Sequence, residues 1–251
     1  MTSLTGRTAL ITGVSGGIGS RVAGTFGREG ARVVGTYRSR RDEAERAMSA
    51  VPGDRRVLLQ AELDGADGAR DLWRRARRAA PIDTLVVNAA VLAASPLETD
   101  ESWTAAWEQS LSVNVLAACT LMQAAARDFV DEGYGCIIVV SSWAAEQGSR
   151  LPDLGAYAAS KAAVRNFAQT LARAGARDGL RVYTIAPGVV DAGMGVVDRS
   201  EEEVRAVADG LTMGRHVDAQ EIADLAAFLA TDRCPSLTGA TLDLNGASYI
   251  R

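Results

Sequence analysis

Thr8-Ala-Leu-Ile-Thr-Gly-Val-Ser-Gly-Gly-Ile-Gly19 is the stretch that decides the fold. Thr8 to Thr12 reads as a short buried strand, and Gly13, Gly16, Gly17 and Gly19 follow it at once. From Ile18 to Glu29 the apolar residues return at helical spacing, at Ile18, Val22, Ala23 and Phe26. Ala31 to Tyr37 then reads as a second strand. Strand, glycine-rich turn, helix and strand form a mononucleotide-binding unit, in which bare backbone approaches a pyrophosphate and the free N–H groups of the helix meet it. The plainer alternative is a tight turn with no ligand; the flanking strand and helix weigh against it.

The alternation continues outward. Strands are predicted at Val57–Gln60, Thr84–Val87, Ile137–Val140, Arg181–Ile185 and Thr241–Leu244. Helices are predicted at Ala66–Ala79, from about Glu108 to Val130, through Tyr157 to about Arg177, and at Gln220–Ala230. Arg74, Arg75, Arg77 and Arg78 read as a solvated face of the first of these, with Leu72, Trp73 and Ala76 on its buried side. The segment from Val189 to Arg215 reads as a loop with a short helix capped at Ser200-Glu-Glu-Glu203. No linker or repeat divides the chain. The expected fold is α/β: a single doubly wound Rossmann domain over residues 1–251, with a mostly parallel, seven-stranded sheet. The glycine turn, Asn88, Ser142 and Pro187 all fall at carboxyl ends of strands, where such sheets bind ligands.

Composition narrows the function. A net charge of −4 argues against nucleic-acid and anionic-membrane partners. A single histidine, His216, excludes a histidine-rich metal site and disfavours a Ser-His-Asp triad. Cys119, Cys136 and Cys234 lack metal-ligand spacing, and an odd number of thiols suits a reducing, cytoplasmic setting. No apolar run reaches the roughly 18 residues of a membrane span, and a strand within a few residues of the start leaves no space for a signal peptide.

Chemistry points to Tyr157-Ala-Ala-Ser-Lys161. On a helix, positions four apart share a face, so phenol and ammonium stand together. A free tyrosine is ionised only about once in a thousand at neutral pH, and a nearby cation lowers its pKa toward the range useful for general acid/base work. Two solvated side chains would be the ordinary reading. Lys161, however, is the only lysine among 27 Lys and Arg residues, at a place where a compact ammonium differs most from a guanidinium.

These residues together resemble the short-chain dehydrogenase/reductase family, most closely its 3-oxoacyl-carrier-protein-reductase-like members, over essentially the whole chain. Thr12-Gly-Val-Ser-Gly-Gly-Ile-Gly19 is similar to the family's cofactor turn, Tyr157-x-x-x-Lys161 to its acid/base signature, and Pro187-Gly188 to the pair after its sixth strand. Asn114 and Ser142 lie where the family has its active-site asparagine and serine. The resemblance implies that Tyr157 protonates a carbonyl oxygen and Ser142 donates to the developing alkoxide. Lys161 would tune the tyrosine and bind ribose hydroxyls, and Asn114 would hold a water in a proton relay. Simpler roles for Ser142 and Asn114 are a helix cap and the satisfaction of a buried backbone group. The implied cofactor contacts are Gly13, Ser15, Gly17, Ile18, Gly19, Tyr37, Arg38, Ser39, Glu62, Leu63, Asn88, Ala89, Ala90, Tyr157, Lys161, Pro187, Gly188 and Val190.

Three departures stand out: Ala90 replaces the family's glycine after Asn88-Ala89, Ala192 replaces a threonine that bonds the nicotinamide carboxamide, and Asn245-Gly246-Ala247 replaces Asp-Gly-Gly. At the end of the second strand, NAD sites usually carry an acid; here Tyr37 is followed by Arg38-Ser39-Arg40-Arg41, which suits a 2′-phosphate. Arg38 is the expected principal contact, and Gly16 lacks the basic residue many NADP-binding relatives have there. The resulting expectation is an NADP(H)-dependent enzyme, NAD(H) being the second choice, that interconverts a small ketone and a secondary alcohol. The alternatives are an NAD-dependent alcohol dehydrogenase and a non-catalytic dinucleotide-binding protein. A homotetramer or homodimer is expected through the helices at 108–130 and 155–177, with Tyr249-Ile250 as a second apolar surface. Trp143, Met194, Val196 and Val197 are candidates for an apolar substrate pocket, Trp143 being equally placed to pack in the core.

Overall fold

The computed structural model describes residues 3–195 and 200–250; Val196 and Val197 lie outside them. Seven strands form one sheet: β1 Thr8–Ile11, β2 Arg32–Tyr37, β3 Arg56–Gln60, β4 Thr84–Val87, β5 Gly135–Val140, β6 Leu180–Pro187 and β7 Thr241–Leu244. Their order is β3-β2-β1-β4-β5-β6-β7, and every pairing is parallel, so the sheet is wholly rather than mostly parallel. The chain reverses its direction of travel across the sheet between β1 and β4, and all strands end on one edge.

Two helical layers cover the sheet: α1 Gly17–Arg28, α2 Arg41–Ala47 and α9 Ala219–Ala230 on one face, α3 Gly65–Ala79, α5 Ala118–Glu132 and α7 Gly155–Gly175 on the other. Burial on both faces explains why the strands read as continuous apolar runs. In β4 Val86 packs with Val22, Phe26 and Ile222, while Leu85 and Val87 pack with Leu72, Leu121 and Phe129. Truncating a fully buried Phe129 to alanine would cost about 3–5 kcal/mol on this account.

Several details differ from the sequence expectations. The helix expected from about Glu108 starts earlier, as α4 Asp100–Gln109, and passes through a π-helical segment, Ser110–Ala117, before α5. A wider turn of this kind is often found at functional sites, and this one carries Asn114. Helix α2 and the short α6 Ala144–Gln147 were not anticipated. Arg77 is not merely solvated: it pairs with Asp128 and Glu132 and donates to the Ile82 carbonyl, tying α3 to α5. Helix α8, Glu201–Asp209, has the expected cap, with Ser200 Oγ accepting from Glu203 N–H and Glu203 Oε2 accepting from Ser200 N–H at 2.8 Å. No helix among the described residues is long and apolar enough to cross a membrane.

Candidate active site

The glycine turn is locked to the neighbouring strand. Thr12 Oγ1 accepts from the backbone N–H groups of Asn88 (2.9 Å) and Ala89 (3.0 Å), and Asn88 Nδ2 donates back to the Thr12 carbonyl at 2.9 Å. Thr36 Oγ1 accepts from Gly13 N–H at 3.1 Å, which joins the turn to β2 as well. A cavity of about 1390 Å³ opens above these strand ends. Every sequence-predicted site residue lines it except Gly19 and Asn114, which stand behind its wall.

Gly19 is where absence of a side chain matters most: a Cβ there would overlap the Gly13 carbonyl oxygen and lie 2.6 Å from Asn88 Nδ2. Gly16 differs. The Arg40 guanidinium lies over it, with its two terminal nitrogens 3.5 and 3.8 Å from where a Cβ would stand. Arg41, by contrast, is turned to Glu45 at 2.8 Å, an i,i+4 pair. Arg38 and Arg40 have no carboxylate within ion-pair distance among the described residues, and both line the cavity beside the buried end of β2 at Tyr37. The sequence reading ranked Arg40 behind Arg38. Its position over the bare Gly16 places a cation close to where the turn itself lacks one.

At the other end, α7 presents Tyr157 and Lys161 and is anchored beneath them. Ser141 Oγ donates to the Lys161 carbonyl at 3.0 Å, and Ser160 Oγ donates to the Tyr157 carbonyl at 2.7 Å. Ser160 in turn accepts from Asn114 Nδ2 at 3.0 Å. Asn114 also pairs with both backbone groups of Val91, accepting from its N–H at 2.8 Å and donating to its carbonyl at 2.9 Å. The buried Asn114 side chain therefore braces the segment after β4 against α7. Both its amide hydrogens are committed to protein partners, which leaves one Oδ1 lone pair for anything else. Ser160, which completes this brace, had no sequence signal beyond its place inside the Tyr-Lys interval.

Ser142 Oγ accepts from Ala144 N–H at 3.2 Å and stands near enough to the Tyr157 phenol to favour its ionised form, so it both starts α6 and faces the reacting group. Lys161 Nζ is buried, donates to the Val140 carbonyl at 2.9 Å and lies 5.7 Å from the centre of the Tyr157 ring. Burial dominates the proton affinities. It pushes the Tyr157 phenol up to about 12 against the opposing pull of Ser142, and it lowers Lys161 to about 8. The expected fall in the tyrosine pKa is thus absent here: loss of water around the phenolate outweighs the help that Ser142 gives it. A phenol in this state keeps its proton throughout the neutral range.

Trp143 belongs to the cavity wall, not the core; its backbone N–H donates to the Pro187 carbonyl at 2.9 Å, and Met194 lines the same space. Of the departures noted above, Ala90 and Ala192 line the cavity, and Ala247 takes a left-handed φ of 60°, which a glycine would adopt freely. Among the described residues no cluster of side chains could hold a metal.

Comparison with known proteins agrees with this arrangement. The family model for short chain dehydrogenase matches residues 7–207. An uncharacterized oxidoreductase, YmfI, of Bacillus subtilis is 32% identical over 243 residues, covering 96% of this chain and 98% of that protein. The 3beta-hydroxysteroid dehydrogenase 1 of Eggerthella lenta is 33% identical over 252 residues, 98% of this chain and 95% of its own. A crystal structure of 3-oxoacyl (acyl-carrier-protein) reductase from Agrobacterium tumefaciens with NADP bound superposes with a TM-score of 0.87 at 31% identity, covering 97% of this chain and 95% of that one. With the all-parallel seven-stranded sheet and the matched segment running from before the glycine turn to beyond Lys161, the chain belongs to the short-chain dehydrogenase family.

Proposed function

We propose that this oxidoreductase is an NADP(H)-dependent carbonyl reductase that interconverts a ketone and a secondary alcohol, with Tyr157 as general acid/base. The observation that carries the reading is the meeting of Tyr157, Ser142 and Lys161 in the wall of the cavity that also contains the glycine turn. The residues present suit the cofactor. Gly13, Ser15, Gly17 and Ile18 would hold the pyrophosphate, with Gly19 giving the turn its close packing. Arg38, Ser39 and Arg40 would take the 2′-phosphate, since they are unopposed by carboxylate at the end of β2. Glu62 and Leu63 would border the adenine, Asn88, Ala89, Ala90 and Lys161 the ribose, and Pro187, Gly188 and Val190 the nicotinamide. A bound nicotinamide supplies the hydride.

The protein's own part is the proton and the oxygen. Tyr157, its pKa raised by burial, holds the proton that a ketone oxygen needs. Ser142 donates to the same oxygen as negative charge develops on it. Lys161, cationic at pH 7, favours that charge electrostatically from behind the ring. Asn114 acts as a brace through Val91 and Ser160, holding the segment after β4 and α7 in fixed relation. The three unpaired thiols accord with a reducing, cytoplasmic setting. Leu111 and Leu116, 47% and 51% exposed on the π segment, support assembly into a homodimer or homotetramer.

The test is NADPH oxidation with a panel of activated ketones, wild type against Tyr157→Phe, alongside NADPH affinity by fluorescence. Tyr157→Phe is expected to lose about 10²–10⁴-fold in rate with affinity nearly intact. Substantial turnover by that variant would remove the tyrosine from the mechanism.

A further inference from the structure

The substrate half of the cavity carries a guanidinium that the chemistry above does not use. Arg150, on the loop after α6, lies with its Cζ 4.9 Å from the centre of the Trp143 ring. One of its N–H groups donates to the Ser248 carbonyl at 2.9 Å. Ser248 is itself fixed, its hydroxyl accepting from Thr212 N–H at 3.2 Å. The arginine is thus held between the ring next to the catalytic serine and the C-terminal segment. Among the described residues it has no carboxylate partner, and four of its five donors are unassigned.

Its surroundings sort the ligand. The other described cation at this end, Lys161, is committed to the Val140 carbonyl and sits beneath Tyr157. Among the described residues the carboxylate there is Glu203, which accepts from the Ser200 N–H and hydroxyl at 2.8 Å each. The remaining wall includes Leu151, Leu154, Met194 and Leu211. An exposed, forked guanidinium with no carboxylate partner among the described residues, lining the same cavity as an apolar wall, matches an oxyanion, which it can meet with two parallel donors.

We propose that Arg150 is a specificity-determining residue that recognises an oxyanion, carboxylate or phosphate ester, carried by the ketone substrate. The inference rests on the reductase reading and names the substrate class of that site: ketones with an anionic arm, their apolar part against the leucine wall.

Two matched pairs test it with the intact protein and NADPH: levulinate against its methyl ester, and acetoacetyl-phosphopantetheine against acetoacetyl-pantetheine. The wild type should prefer the charged member of at least one pair by tenfold or more in kcat/KM, mainly through KM; the pair that shows the preference identifies the oxyanion. Arg150→Gln should cut the charged member at least tenfold more than the neutral one, with Arg150→Lys recovering part of the difference. A wild-type preference under twofold in both pairs, or equal losses in Arg150→Gln, overturns the proposal. Absence of turnover with all four compounds counts against the reductase reading instead. Calorimetric binding of the same pairs to wild type and Arg150→Gln then decides the arginine's role by the same ratios.

Discussion

Gly19→Ala probes the cofactor turn through a single methyl group. The new Cβ would overlap the Gly13 carbonyl oxygen and stand 2.6 Å from Asn88 Nδ2, where ordinary contact begins at 3.4 Å. Asn88 must therefore retreat by about 0.8 Å, and the Gly13 carbonyl by more. Neither is free to move, because Asn88 Nδ2 donates to Thr12 O at 2.9 Å and Gly13 O at 3.3 Å, the bonds that join β1 to β4. Overpacking of this kind costs about 1–3 kcal/mol, and two weakened hydrogen bonds add about 1 kcal/mol each. Alanine's better helix propensity returns up to about 1 kcal/mol. The net loss is about 2–4 kcal/mol, or roughly 5–15 °C in Tm for a chain of this length.

Gly16→Ala is the control within the same turn. Its Cβ would find only the end of Arg40, at 3.5 Å or more, so its stability should stay within about 0.5 kcal/mol of wild type. Calorimetric melting of both variants, with and without NADPH, is the assay. Gly19→Ala should melt lower and lose most of the stabilisation that NADPH gives the wild type. A melting temperature within about 2 °C of wild type for Gly19→Ala, or equal losses in both variants, would refute the packing argument.

Other outcomes follow from the same geometry. Arg38→Ala and Arg40→Ala should each weaken NADPH by about 1.5 kcal/mol, near tenfold, the low end for a charged hydrogen bond because both side chains are exposed; titrations in which NADH weakens equally would remove them from phosphate recognition. Burial lowers Lys161 to about 8 from 10.5, so between those values the unfolded chain holds a proton that the folded chain has released, and stability rises with pH by of order 3 kcal/mol. Lys161→Met should flatten that rise in melting scans between about pH 8 and 10, and an unchanged slope would count against the buried ammonium. Ala247→Gly relieves a left-handed φ of 60° and should stabilise by about 0.5–1 kcal/mol in denaturant titrations. Light scattering at micromolar concentration should show a dimer or tetramer, and Leu111→Glu with Leu116→Glu should shift it toward monomer.

Much of this was readable from local pattern, and the unread parts share a cause. Burial on both faces leaves the strands as apolar runs, and the longer helices between them carry 3.6-residue spacing, so five of the six crossovers could be followed, the exception being the short α2 between β2 and β3. The helix carrying Asn114 was placed too late. Its first ten residues, Asp100–Gln109, include Trp103 and Trp107 but bury only Ala106, so they lack the apolar stripe that periodicity needs. The π segment escaped for a similar reason: a local change in hydrogen-bond register leaves no mark on composition.

In the site, residue types were legible and their energetic states were not. Tyr157 and Lys161 at four-residue spacing predict adjacency, but the proton affinity of each depends on walls contributed by β5, the segment after β6 and the loop at Trp143. That enclosure, assembled from residues more than ten positions away, reverses the expected direction of the tyrosine shift. Arg40 shows the same division. Four consecutive residues predict a cationic patch, and Arg41–Glu45 is legible as an i,i+4 pair. Only the fold shows that the guanidinium of Arg40 comes back over Gly16, twenty-four positions earlier. Desolvation and return contacts are tertiary quantities, and they set the chemistry here: a protonated phenol beside Ser142 at one end of the cavity, and two unneutralised guanidiniums beside a bare glycine turn at the other. An acid holding its proton and a cationic end of the cavity are what the proposed chemistry needs, and neither could be weighed from the order of residues alone.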